Sequence, residues 1–125
     1  LQEFQHEGVL IVQCAVQGYR KTMEDVALVE CGTLSKKEIT VLGVFDGHSG
    51  IEAASFARRK LLGNIEGTKE WKAGDIPGAC KVGFLATDEA MRMEGVTSGT
   101  TAVVGFVTPT ELIVANCGDS RSVLR

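Results

Sequence analysis

The stretch "EITVLGVFDGHSG" (38–50) constrains the fold more than any other part of the chain. From Val41 to Phe45 it is apolar at odd and even positions alike, interrupted only by Gly43. Neither side of such a segment suits water, which predicts a buried central strand. The strand then runs straight into an acid, a glycine, an imidazole, a hydroxyl and a second glycine. A plain strand-to-helix turn needs the glycine and the serine. It has no need of Asp46 and His48 on either side of Gly47.

The neighbouring segments supply the other elements. "VLIVQCAVQ" (9–17) alternates, so a strand is expected with Leu10, Val12, Cys14 and Val16 on one face. "VALVEC" (26–31) reads as a second short strand. Ser49 with Glu52 three residues on has the form of a capping box. Ile51, Ala54, Ala57, Leu61 and Ile65 then recur on one helical face, and Gly67 suits the exit. Residues 64–78 look like a loop. A second helix is expected from Pro77 to Met93, with Ala79, Val82, Ala86, Ala90 and Met93 as its stripe and Gly95 just past its end. "GTTAVVGFV" (99–107) and "ELIVANC" (111–117) flank "TPT" as a hairpin would, and "SVLR" reads as a strand still running. Strands, then two helices, then strands again predict an α+β fold, an antiparallel sheet with helices on a face.

Bulk properties narrow the function. At 125 residues, 44% hydrophobic and 23% charged, the chain fits one globular domain. A net charge of −3 without a basic run argues against a nucleic-acid or anionic-membrane surface. No stretch approaches the apolar length of a membrane span, and "LQEFQHEG" is no signal peptide. Four dispersed cysteines form neither a zinc pattern nor a disulfide framework, which suits a reducing, intracellular setting, cytoplasmic or nuclear.

Three polar clusters interrupt the apolar elements: "GYRKTMED" (18–25), "DGHSG" (46–50) and "NCGDSR" (116–121). Each ends a predicted strand, so they can converge at one sheet edge. Taken singly, each acid is an ordinary turn residue, and His48 an ordinary hydrogen-bonding group. Together, Glu24, Asp25, Asp46 and Asp119 would not all ionise at close range without a cation. Hard oxygen ligands suit magnesium, manganese or calcium rather than zinc or copper. Gly47, lacking a Cβ, lets its carbonyl approach such an ion. Arg20 can hold an anionic substrate through its planar fork of donors, and His48 can donate a proton near neutral pH.

A rival chemistry is a cysteine nucleophile, since "CAVQGYR" (14–20) has the C-x5-R spacing of thiol phosphatases. That mechanism needs a loop of amides opening a helix to lower the thiol pKa. Cys14 instead falls in an alternating apolar strand, and no apolar-periodic helix follows Arg20.

The three clusters, with "SGTTAVV" (98–104) before the third, resemble in order and spacing the metal-dependent serine/threonine protein phosphatases of type 2C, the PPM family. The resemblance runs from Gly8 to Arg125. It implies an antiparallel β-sandwich flanked by helices (αββα), of which this chain carries the N-terminal half, residues 1–125 being the first part of one catalytic domain. It implies hydrolysis of phosphoserine and phosphothreonine in phosphoprotein substrates by a water activated between two magnesium or manganese ions. Asp46 would bridge the ions, with Glu24 and the Gly47 carbonyl serving the second. Asp25 would lie one water further out, and Asp119 would match an acid linked to a weaker, further metal. Arg20 would grip the substrate phosphate and His48 act as general acid. The family's later acidic motifs do not occur here, so the 125 residues alone are expected to be weakly active or inactive and to self-associate through an uncovered face. The alternative is a short phosphatase-like binding module without catalysis.

Overall fold

A computed structural model describes residues 1–32 and 35–125. In chain order the elements are β1 (Gln2–His6), β2 (Val9–Gln13), β3 (Asp25–Cys31), β4 (Thr40–His48), α1 (Glu52–Glu66), α2 (Lys69–Lys72), α3 (Ile76–Met93), β5 (Gly99–Thr100), β6 (Ala102–Val107) and β7 (Leu112–Cys117). The fold is α+β with every strand pair antiparallel.

The main sheet has the order β3-β4-β6-β7, and β5 pairs with the end of β4. The segment apolar on both sides is therefore central, as expected. Val41 stands opposite Glu30 of β3 and Phe106 of β6, and each neighbour satisfies one edge of its backbone. One face of the sheet carries Leu28, Val41, Phe45, Val104 and Phe106, all buried against the helices. The opposite face carries Leu42, Val44, Val103, Leu112 and Val114, and no second helix layer covers it among the described residues.

Helix α1 buries Ala54, Ala57, Leu61 and Ile65 of the face that its periodicity predicts, while Ile51, expected on the same face, precedes the helix and is exposed. Its start is different. Ser49 has φ 60, and the helix opens at Ile51 with no side-chain cap of its own, so the Ser49–Glu52 box does not form. Ser98 replaces it from 45 residues away, its Oγ accepting the Ala53 N–H at 2.9 Å. An orphan helix donor can be satisfied by any oxygen that the fold brings near.

The expected loop at 64–78 holds the short helix α2, capped by Thr68 and anchored by Trp71. Trp71 is buried, its ring centroid 6.1 Å from that of Phe106 and its Nε1–H donating to Ser35 Oγ. Asp75 then caps α3 through the Gly78 N–H. The α3 stripe is also corrected. Ile76, Ala79, Cys80, Gly83 and Thr87 are the buried positions, while Val82 and Met93 are exposed and Ala86 faces outward with them. Gly83 turns this side inward: a Cβ there would collide with Ile65, so α1 and α3 approach backbone to side chain. Gly95 ends α3 at φ 73, as expected.

Two further readings change. Residues 1–13 form a hairpin of β1 and β2, in which Ile11 points inward and Leu10 and Val12 face solvent. Cys14 and Val16 lie beyond the strand, also exposed, so the strand is shorter than the expected 9–17 and the face that Leu10 and Val12 share is the outer one. Residues 122–125, expected as a strand, form none among the described residues. The hairpin of β6 and β7 around Pro109 is as expected. No helix among the described residues is long and apolar enough to cross a membrane.

Candidate active site

Strand β4 runs past Phe45 through Asp46 and Gly47 to His48, so these are strand residues rather than a turn. In the β3–β4 register Asp25 stands directly opposite Asp46. Side chains of facing residues share a side of the sheet. Both carboxyls therefore emerge at one end of the face that the helices leave open, beside the groove that this face lines.

The two acids interact. Partial desolvation, then the hydrogen bond and negative charge of Asp46, push the Asp25 carboxyl above the usual carboxylate range. The charge of Arg20 opposes the rise, and that of Glu24 adds to it. Asp25 is itself solvent-exposed, so the facing acid is the cause that the strand register supports most directly. Arg20 thus lies close enough for its charge to act on Asp25. It is exposed, in a turn where its N–H bonds the Gln17 carbonyl and its own carbonyl accepts from Gln17 Nε2.

Gly47 and Glu24 meet through backbone. The Gly47 N–H donates to the Glu24 carbonyl at 3.1 Å, and a Cβ on Gly47 would stand 2.6 Å from that oxygen. The close approach requires glycine. The Glu24 carboxyl accepts from Thr22 Oγ1 at 2.8 Å. His48 leans over Gly99, where any added Cβ would collide with Nε2 of the imidazole. Asp119 is exposed in the turn after β7.

Among the described residues no three His, Cys, Asp or Glu side chains gather as a metal-binding group. Asp25 and Asp46 are the two that come together, and Asp119 does not join them. Two carboxyls facing each other across the strand pair, with Asp25 held above its usual range, fit a hard divalent cation, which would relieve the repulsion between them. Cys14 is exposed in a segment without helix, away from any amide cradle, which removes the structural basis for a thiolate nucleophile.

Reasoning from sequence missed four residues of this site: Ser98, Gly99, Thr101 and Ser120. Thr101 grips the Asp46 backbone, and Ser120 grips Thr101. For Ser98, Gly99 and Thr101 the signal was the run of small and hydroxyl residues in "TSGTT" (97–101), which has no hydrophobic period to explain it, and for Ser120 its place within the third polar cluster.

A profile of the protein phosphatase 2C family matches residues 10–125. The chain belongs to that family. It is 36% identical to protein phosphatase 2C homolog 2 of Aspergillus fumigatus, over 98% of this chain and 32% of the relative. It is 34% identical to protein phosphatase 2C homolog 2 of Saccharomyces cerevisiae, over 89% of this chain and 26% of the relative. With probable protein phosphatase 2C 3 of Paramecium tetraurelia it shares 34% identity, over 94% of this chain and 44% of the relative. The chain thus spans from about a quarter to less than half of the length of these protein phosphatase 2C relatives. The α+β fold with an antiparallel sheet is a partial form of the family's domain.

Proposed function

We propose that the whole protein hydrolyses phosphoserine and phosphothreonine in protein substrates with the help of divalent ions, magnesium or manganese. These 125 residues are then the N-terminal part of its catalytic domain. The observation that carries the reading is the Asp25–Asp46 pair, set face to face at a strand end within reach of the Arg20 charge. Family membership supports it.

In this reading Asp46, Glu24 and the Gly47 carbonyl hold the ions, Asp25 orients water beside them, and Asp119 belongs to a further, weaker site. Such ions supply an activated water and offset charge on the phosphoryl oxygens. Arg20 binds two phosphate oxygens through its fork of donors, orienting phosphorus toward the carboxylates. His48, as imidazolium, gives a proton to the serine or threonine oxygen as the bond from that oxygen to phosphorus breaks, and becomes neutral imidazole. Its exposed position at the rim suits a group that must meet a peptide.

The enzyme works inside the cell on phosphoproteins, without nucleic-acid or membrane partners. A binding module without catalysis is the rival, favoured by the absence of a third gathered ligand among the described residues. Chelation separates them. In the full-length protein, excess chelator should abolish phosphopeptide hydrolysis, manganese should restore it, and thiol alkylation should leave it unchanged. Asp46→Asn should lower the rate by about three orders of magnitude or more, because the ions generate the nucleophile. Turnover that survives the chelator sinks the metal mechanism, and no turnover under any metal favours the module.

A further inference from the structure

We propose that the turn after β7 is a positioning device for Asp46, acting through Thr101; this rests on the reading of Asp46 as the central ion-holding carboxylate. Thr101 holds the Asp46 backbone at both of its polar groups. The Asp46 N–H donates to Thr101 Oγ1 at 3.2 Å, and the Thr101 N–H donates to the Asp46 carbonyl at 3.0 Å. With its donor and acceptor both engaged, the peptide on either side of Asp46 cannot swivel. The direction in which the carboxyl leaves the strand is then set.

The Thr101 hydroxyl is held in turn by the Ser120 hydroxyl at 2.6 Å. The turn that carries Ser120 is itself tied down. With its amide oriented to satisfy both ends, Asn116 donates to the Ser120 carbonyl at 3.1 Å and to the Ala102 carbonyl at 3.2 Å. Gly118 brings the turn against its target: at φ +99, a Cβ there would stand 2.8 Å from Thr101 Cγ2. A chain of contacts thus runs from the third polar cluster of the sequence to the second. It uses Asn116, Gly118 and Ser120, and leaves Asp119 exposed.

The need for such a device follows from the charge. Facing carboxylates repel when no cation lies between them and would splay apart if their backbones allowed it. An ion site demands its ligands within about 0.5 Å of the productive geometry. The clamp's hydrogen bonds reach Asp46 through its backbone N–H and carbonyl, so its members are positioning residues.

The test measures manganese binding in the full-length protein, by water-proton relaxation without substrate, with melting temperatures taken alongside. The variants are Thr101→Val, Thr101→Ser and Ser120→Ala, with Ser122→Ala as a control outside the clamp. Loss of a group behind a metal ligand weakens affinity by about 10–100-fold, and that loss is expected for Thr101→Val and Ser120→Ala. Thr101→Ser keeps the hydroxyl and should bind as the unchanged protein does. In turnover, kcat at limiting manganese should fall while the phosphopeptide KM holds. Unaltered affinity in Thr101→Val and Ser120→Ala overturns the proposal, as does a Thr101→Ser variant as weak as Thr101→Val. Absence of manganese binding in the unchanged protein also overturns it. Should Thr101→Val fail to fold, Ser120→Ala and Thr101→Ser decide. The expected binding pattern without any phosphatase activity would sink the phosphatase reading and leave the clamp standing.

Discussion

Cys80 shows how far one residue's chemistry is set by where the fold puts it. Four cysteines are present; Cys14, Cys31 and Cys117 are exposed, whereas Cys80 sits in the core on α3. Burial pushes its thiol from 9.0 up to about 11, because the thiolate would lose its hydration. Native protein treated with iodoacetamide at about pH 8 should take label on Cys14, Cys31 and Cys117 and spare Cys80, since the thiolate is the nucleophile. Intact mass and peptide mapping read the outcome, and a labelled Cys80 would contradict its burial. The same shift has a sign in stability. The folded chain holds this proton more tightly than the unfolded one, so the contribution is complete below pH 9.0 and fades as pH rises through about 11. Cys80→Ala should lose that part of the alkaline destabilisation in urea titrations.

At the scale of elements, α1 is held by partners that local sequence does not contain. Its first turn depends on Ser98, and its flank depends on Gly83 leaving room for Ile65. Asn64 adds a polar tie, donating to Thr87 Oγ1 at 2.9 Å, while that hydroxyl donates to the Gly83 carbonyl at 2.7 Å. Ser98→Ala should cost about 1 kcal/mol, the usual loss of a helix cap. Gly83→Ala sets two effects against each other. Alanine gains up to about 1 kcal/mol of helix propensity, yet its methyl would strike Ile65 at backbone as well as side chain, 2.9 Å from Cα. Overpacking of this kind costs about 1–3 kcal/mol. Because backbone atoms cannot rotate aside, net destabilisation is expected, read from urea midpoints at unchanged slope. A stabilised Gly83→Ala protein would mean that α1 and α3 can slide apart at little cost.

For the whole molecule, the decisive feature is a sheet with one covered face and one open one. The open side lines a groove of about 590 Å³ bounded by the segment after β2 and by 121–123. Val44, Leu112 and Val114 are each 44% exposed there. An apolar strip of this kind favours association. The 125-residue chain in isolation should therefore show a concentration-dependent rise in sedimentation coefficient at micromolar levels. Leu112→Glu with Val114→Lys should reduce it while leaving the melting temperature nearly unchanged, because neither residue faces the helices. A monomer at all concentrations would show that the groove is tolerated in water.

Periodicity and polarity were enough to make β4 central, to place the β6–β7 hairpin and to single out the buried face of α1. Those depend on patterns within about 15 residues, and backbone geometry converts such patterns into faces directly. The three polar clusters were also legible, because Asp46 and His48 had no local structural purpose. Other features depended on distant parts of the chain. Which side of β2 and of α3 turns inward was decided by what stood beside them: Ile11 rather than Leu10, and Gly83 because Ile65 needed its missing side chain. The cap of α1 moved from Ser49 to Ser98 for the same reason. So did the role of the third cluster, whose Asn116 and Ser120 serve Thr101 while Asp119 stays exposed. A hydrogen bond or a close packing contact needs only proximity in space. Residues 19 to 55 positions apart therefore meet according to strand order and register, which a local pattern does not encode.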